Sequence, residues 1–231
     1  AIVDIDCHHS AGTQDIYWHD PDTLFISIHQ DGRTLYPGSG FPDELGGINA
    51  VGKTINIPLP PNTSEEGFLY AIKHVVMPIL EDFKPDIIIN SAGQDNHFSD
   101  PITNMNFSAQ GYADLTDILK PDIAVLEGGY AIEGALPYVN VGIILAMAGV
   151  DYSMVKEPKY NPGSIRQTPS VTAAIEKIGE VSLAIWQQRD NIKDQLMGKP
   201  APQRRKRNLF YDTDGIRESQ SEQIQICPDC A

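Results

Sequence analysis

The 231 residues are 41% hydrophobic and 21% charged, the composition of a globular chain with a sizeable core, and one large domain is the simplest reading. A formal net charge of −14 argues against a general nucleic-acid binder, because neutralising phosphates needs a cationic face. No stretch approaches the ~20 apolar residues that span a bilayer, which argues against a membrane partner. Three cysteines are too few for a disulfide framework and point to a reducing, cytoplasmic setting.

Five short runs rich in Ile and Val read as strands: "AIVDI" (1–5), "TLFISI" (23–28), "TINIPL" (54–59), "DIIINSAG" (86–93) and "DIAVLEGG" (122–129). The apolar start at Ala1, with no leading turn or cap, reads as a chain cut within a domain, which would leave the "AIV" strand at an exposed sheet edge. Helical spacing runs from Glu65 to Phe83, with Phe68, Leu69, Ile72, Val75, Val76, Ile79 and Leu80 on one stripe and Pro78 as an expected kink. Ser108 to Leu119 and Ala131 to Ala148 are further helices, and Thr168 to Asn191 reads as an amphipathic helix closing the domain. Strands alternating with helices predict an α/β fold, a parallel sheet with helices on both faces. The division is residues 1–195 as the α/β domain and 196–231 as a basic linker, "MGKPAPQRRKRN" (197–208), with a tail ending in "CPDCA".

Three polar clusters fall after expected strands, where open α/β sheets collect functional groups: "DIDCHH" (4–9), "GQDNHFSD" (93–100) and "EGGY" (127–130). Strand alternation puts Asp4, Asp6 and His8 on one face and Ile5, Cys7 and His9 on the other. Asp6 and His8 can then share one ion, with Asp95 as the natural third ligand of a borderline metal such as Zn²⁺. An ordinary hydrogen-bonded Asp and His pair is the rival for the Asp-x-His spacing alone, and a packed aromatic is the rival for Tyr130. Cys7 reads as a small buried hydrophobe.

The motifs "DIDCHHSAGTQ", "FISIHQD", "YPGSG", "SAGQDNHFSDP" and "LEGGY", in this order and spacing, resemble the histone deacetylase superfamily with its arginase-like, three-layer fold. The resemblance covers roughly residues 1–150, and "GTQ" and "LEGGY" are most similar to bacterial deacetylase-like and acetylpolyamine amidohydrolase-like members. It implies zinc held by Asp6, His8 and Asp95, and Tyr130 as hydrogen-bond donor to the developing oxyanion. It also implies a monovalent-cation site, suited to K⁺, at Asp4, Asp6, His8, Ser27 and Ile28. The implied reaction removes acetyl groups from acetyl-lysine or small acetylated amines. Gly128 and Gly129 would permit a tight turn and close substrate approach.

Two departures stand out. Family members carry a histidine pair, one of them the general base, upstream of the strand that opens this chain, and none of His8, His9, His19, His29, His74 or His97 matches it. Ala11 stands where the family often has Asp or Asn. Both features keep open a non-catalytic module that binds metal and acetylated ligand. A binuclear-manganese ureohydrolase would need bridging carboxylates near Ser10 and His97, where neither residue is acidic. Cys227 and Cys230 have the spacing of half a structural zinc site, a pair that another subunit would have to complete, with a redox pair or an inert tail as the alternatives. "RRKR" (204–207) reads as solvated linker rather than a nucleic-acid patch. Oligomeric state is open.

Overall fold

Strands β1 (Ile2–Asp4), β2 (Phe25–Gln30), β3 (Thr54–Leu59), β4 (Ile89–Ala92) and β5 (Ile123–Leu126) form one parallel sheet in the order β3-β2-β1-β4-β5. The computed structural model describes residues 1–197, 203–211 and 216–224. From β1 the chain winds outward through β2 to β3, then crosses back to β4 and continues to β5. Parallel crossovers are right-handed, so the two directions of travel place their connections on opposite faces of the sheet. The switch between those directions lies between β1 and β4, the crevice where open sheets bind ligands.

Every residue of β1, β2 and β3 is buried, as their unbroken Ile and Val runs require of strands covered on both faces. β1 is central, paired with β2 on one side and β4 on the other. The expectation that its apolar run would lie on an exposed edge is therefore corrected. β5 instead has only β4 beside it among the described residues, and it carries the exposed apolar residues Ile123, Val125 and Leu126.

The 65–83 stripe forms α2 (Glu65–Ala71), a π turn (Ile72–Val76) and α3 (Met77–Phe83) as one continuous run. Pro78 lacks the N–H that an α-helix would direct to residue 74, and the wider π turn sits just before it. α3 and α4 (Ala109–Leu119) both end on a lysine in the left-handed region, Lys84 and Lys120, and both lysines precede a proline. That Lys-Pro-Asp stop is a local signal the apolar pattern does not contain. Ser108 caps α4 by accepting the N–H of Gly111 at 3.0 Å. α1 (Ala11–Tyr17), too short for periodicity to reveal, follows the first polar cluster, and α5 (Leu136–Met147) starts later than the expected Ala131.

α6 (Pro169–Met197) lies against α2, the π turn and β3. Its Trp186 indole donates to Asp82 at 2.9 Å, and Arg189 and Lys53 stand over the same ring. The stretch read as linker is strand from Gln203 onward: β6 (Gln203–Tyr211) pairs antiparallel with β7 (Ile216–Ile224). Apart from Leu209 to Tyr211 at the end of β6, neither strand has an apolar run. Their backbone register sets Arg205 opposite Glu222, a pairing that hydrophobic pattern cannot report. Cys227 and Cys230 lie outside the described residues. Among the described residues no helix is long and apolar enough to cross a membrane.

Candidate metal centre

β1 stops at Asp4, so strand alternation does not carry Asp6 and His8 to one place as expected. A turn does so instead. The Asp6 N–H donates to Asp4 Oδ1 at 2.9 Å, and the His8 N–H donates to Asp6 Oδ1 at 2.8 Å, so each carboxylate orders the residue two positions on. Asp95 arrives from the turn after β4. Its Oδ1 accepts the Cys7 N–H at 2.7 Å, its carbonyl accepts the Thr103 hydroxyl, and the neighbouring Asn96 amide donates to the Ile5 carbonyl at 2.5 Å. These bonds stitch the two turns together across the switch point.

The result is a triad. His8 Nδ1 lies 2.8 Å from Asp95 Oδ2 and 3.2 Å from Asp6 Oδ1, and one ligand atom from each residue falls within 4.8 Å of the others. It is the one such group of His, Cys, Asp and Glu found among the described residues. The third cluster closes over it: Gly128 donates its N–H to Asp6 Oδ2 at 2.7 Å, and its carbonyl accepts the Gln94 N–H at 2.6 Å. A Cβ on residue 128 would stand 2.7 Å from both Asp6 Oδ2 and Asp95 Oδ2, so any side chain there would fill the cradle. Tyr130 follows, its ring 6.3 Å from the His8 ring and perpendicular to it, and 47% exposed.

The electrostatics ask for a cation. Burial alone would lower the His8 pKa, but the Asp6 and Asp95 carboxylates outweigh it and raise the pKa to about 10. Burial pushes Asp95 up to about 6, helped by the like charge of Asp6 and opposed by His8 and the Cys7 N–H. Asp6 stays below the usual carboxylate range: burial opposes ionisation, yet His8, Asp95 and the Gly128 N–H together prevail. Asp4 is raised to about 7, chiefly by burial, with Ser10 and the Asp6 N–H opposing. Two carboxylates and one imidazole nitrogen in a buried crevice are the donor set of a borderline divalent metal with three protein ligands, and the residues fit such an ion.

Of the monovalent-cation residues, Asp4 and Ser27 are partners in the β1–β2 register, and Ile28 follows on β2. The Ser27 hydroxyl lies 2.8 Å from His29 Nδ1, and the Ser10 hydroxyl donates to Asp4 at 2.5 Å. The remaining histidines are committed elsewhere. His9 sits 2.8 Å from the Ser39 hydroxyl and 3.0 Å from Gln14; His29 reaches the Gly40 carbonyl; His97 lies between Ser99 and Glu157. His74 stacks on Tyr70, and His19 abuts Gly47. Cys7 is fully buried, its thiol pKa raised mainly by that burial. Sequence reasoning gave no role to Asp100 or to the backbone N–H of Cys7 and Gly128. Asp100 was visible as the Asp before Pro101; the two N–H groups carry no residue-type signal.

The chain matches the histone deacetylase domain over residues 1–140. The chain belongs to the histone deacetylase family. It is 49% identical over 168 residues to a probable deacetylase of Archaeoglobus fulgidus, covering 69% of this chain and 46% of that protein's length. Among solved structures, the histone deacetylase Clr3 superposes with a TM-score of 0.70 at 27% identity, over 81% of this chain and 32% of the other. An acetylpolyamine aminohydrolase from Burkholderia pseudomallei gives a TM-score of 0.57 at 30% identity, over 64% and 43% of the two chains. The parallel α/β sheet is thus the deacetylase fold, and the motifs around Asp6, Asp95 and Gly128 are the segments that meet at the β1–β4 crevice.

Proposed function

We propose that the protein is a zinc-dependent amidohydrolase that removes acetyl groups from acetylated lysine or small acetylated amines. The observation that carries this reading is the convergence of Asp6, His8 and Asp95 at the switch point, capped by the Gly128–Tyr130 turn. Zinc bound by those three residues would supply Lewis-acid activation of the amide carbonyl and of a water. Tyr130 donates its hydroxyl hydrogen bond to oxygen charge that develops as the carbonyl carbon becomes tetrahedral. Partial burial and then the charges of Asp95 and Asp6 raise its pKa, so it is a protonated donor at neutral pH. Gly128 holds the turn close by bonding Asp6 directly, which fixes where a carbonyl can approach. Asp4, Asp6, His8, Ser27 and Ile28 are proposed to hold a K⁺ ion that steadies the turn after β1. Three cysteines, too few for a disulfide framework, support a reducing, cytoplasmic setting for the proposed activity.

The second reading, a module that binds acetylated ligand without turnover, draws on the placement of the histidines: besides His8, none reaches the triad to take a proton from water. A binuclear ureohydrolase is disfavoured because Ser10 donates to Asp4 and His97 pairs with Glu157, so neither position supplies a bridging carboxylate. Metal analysis and turnover of acetylated amines by the complete protein test the proposal together. One zinc per chain with chelator-sensitive deacetylation is expected. Zinc binding without turnover of any acetylated amine would select the ligand-binding module, and two manganese ions would select the ureohydrolase.

A further inference from the structure

Asp100 lies five residues beyond Asp95 on the same loop and is buried, yet it is not near enough to join the triad. Its carboxylate is divided between two backbone donors. Oδ2 accepts the N–H of Tyr130 at 2.9 Å, and Oδ1 accepts the N–H of Ile102 at 3.1 Å, while its own N–H is held by the His97 carbonyl at 2.8 Å. Loop and turn are therefore tied at both ends: Gln94 N–H to the Gly128 carbonyl at one end, Asp100 carboxylate to the Tyr130 N–H at the other.

Tyr130 needs such a tie more than its neighbours do. Its side chain is half exposed, so packing alone does not fix the ring, and two glycines precede it. A charged acceptor binding a backbone N–H is among the stronger hydrogen bonds, and burial of the Asp100 carboxylate protects it from competing water. Resting on the reading of Tyr130 given above, we infer that Asp100 is a positioning residue: its carboxylate holds the Tyr130 backbone so that the phenol stays over the triad. The carboxylates that order the site then have distinct tasks, Asp6 and Asp95 toward the metal and Asp100 toward the oxyanion donor. A displacement of about 1 Å in a positioned group can cost ~10²-fold, so losing this tie should be felt at the tyrosine without touching the ligands.

The test uses the zinc-loaded protein and a trifluoromethyl ketone analogue of acetyl-lysine, whose hydrate imitates the tetrahedral oxyanion and requires no turnover. Calorimetric affinities are compared for the unsubstituted protein, Tyr130→Phe, Asp100→Ala, Asp100→Asn and the Tyr130→Phe/Asp100→Ala double variant, with zinc content measured for each. Asp100→Ala should weaken the analogue at least ~10-fold at unchanged zinc content and add little to the loss caused by Tyr130→Phe, as expected of residues acting as one unit. Asp100→Asn, which keeps an oxygen acceptor, should recover most of the affinity, and it also serves if the alanine variant does not fold. Hydrogen exchange at the Tyr130 amide should accelerate in Asp100→Ala. Additive losses, an unchanged affinity in Asp100→Ala, or a parallel fall in zinc content would overturn the inference while leaving the role of Tyr130 standing. Failure of the unsubstituted protein to bind the analogue, or indifference to Tyr130→Phe, would overturn the functional reading and this inference with it.

Discussion

β1 and β5 are both short apolar strands followed by a polar cluster, yet they live in opposite surroundings. β1 is buried at every position between β2 and β4, and its following turn is cross-tied to the turn after β4. β5 leaves Leu126 70% exposed, and the neighbouring α5 leaves Ile144 64% exposed, with Val141, Ile132 and Val150 also open. An apolar run states that a strand wants cover; it does not state which strand receives it. The difference also divides the candidate site, because two of its three clusters hang from the buried side and the third, with Tyr130, from the exposed side. Tyr130 consequently depends on hydrogen bonds at a half-exposed turn, where those that order Asp6, His8 and Asp95 lie within a buried crevice.

The largest test of that contrast is Asp95→Ala in the complete protein. It removes one of the three proposed zinc ligands and the acceptor for Cys7, so metal analysis should show less zinc than in the unsubstituted protein, with activity at background. Full retention of zinc would separate the crevice from the metal. Tyr130→Phe, on the exposed side, should leave zinc content and KM nearly unchanged and lower kcat by roughly 10²–10³, the size of a lost oxyanion donor. An equal loss through KM would mean that the hydroxyl binds substrate and transition state alike.

Denaturant melts sharpen the comparison for stability. Ile26→Ala, on β2 beside Val3 of β1 in the buried sheet, should cost about 2–5 kcal/mol, whereas Ile144→Ser, at an exposed position of α5, should stay within ~0.5 kcal/mol. A large cost at Ile144 would show that something covers that face in solution. The last effect shows only in acid and concerns His29, fully buried and held to a pKa of about 3 by burial and then by His9. Its unfolded value near 6.5 is higher, so the unfolded state binds the proton first as pH falls. The contribution is whole above about pH 6.5 and erodes by ~1.4 kcal/mol per pH unit toward pH 3. The acid limb of stability against pH should therefore be steeper in the natural protein than in His29→Gln by about one proton. Equal slopes would show that His29 already titrates in the folded state.

The expected strand at 54–59 and the helix expected at 108–119 agree with the structure to the residue or nearly so, because they rest on local rules: apolar runs and helical spacing of apolar residues, as in the 65–83 stripe. Within the candidate site, Asp6, His8, Asp95 and Tyr130 were legible as chemistry-bearing side chains at the ends of apolar runs. Strand alternation is not what brings Asp6 and His8 together, since the strand ends at Asp4 and Asx-type bonds shape the turn. Asp100 looked like one more loop carboxylate until its partner, 30 residues away, was known. The β6–β7 hairpin was hidden because backbone pairing between polar strands leaves no hydrophobic period.

By itself the sequence determined the alternation of strands and helices, the parallel sheet, and the short set of side chains with metal-binding and proton-donating chemistry. These follow from periodicity and residue type, which are properties of neighbours along the chain. Only the tertiary structure decided that β1 is central and β5 the exposed edge, that the winding direction reverses between β1 and β4, and that Asp6, His8 and Asp95 therefore share one crevice. Strand order and the hydrogen bonds between distant turns are set by which surfaces cover one another, and that is a competition among contacts far apart in sequence that no local pattern records.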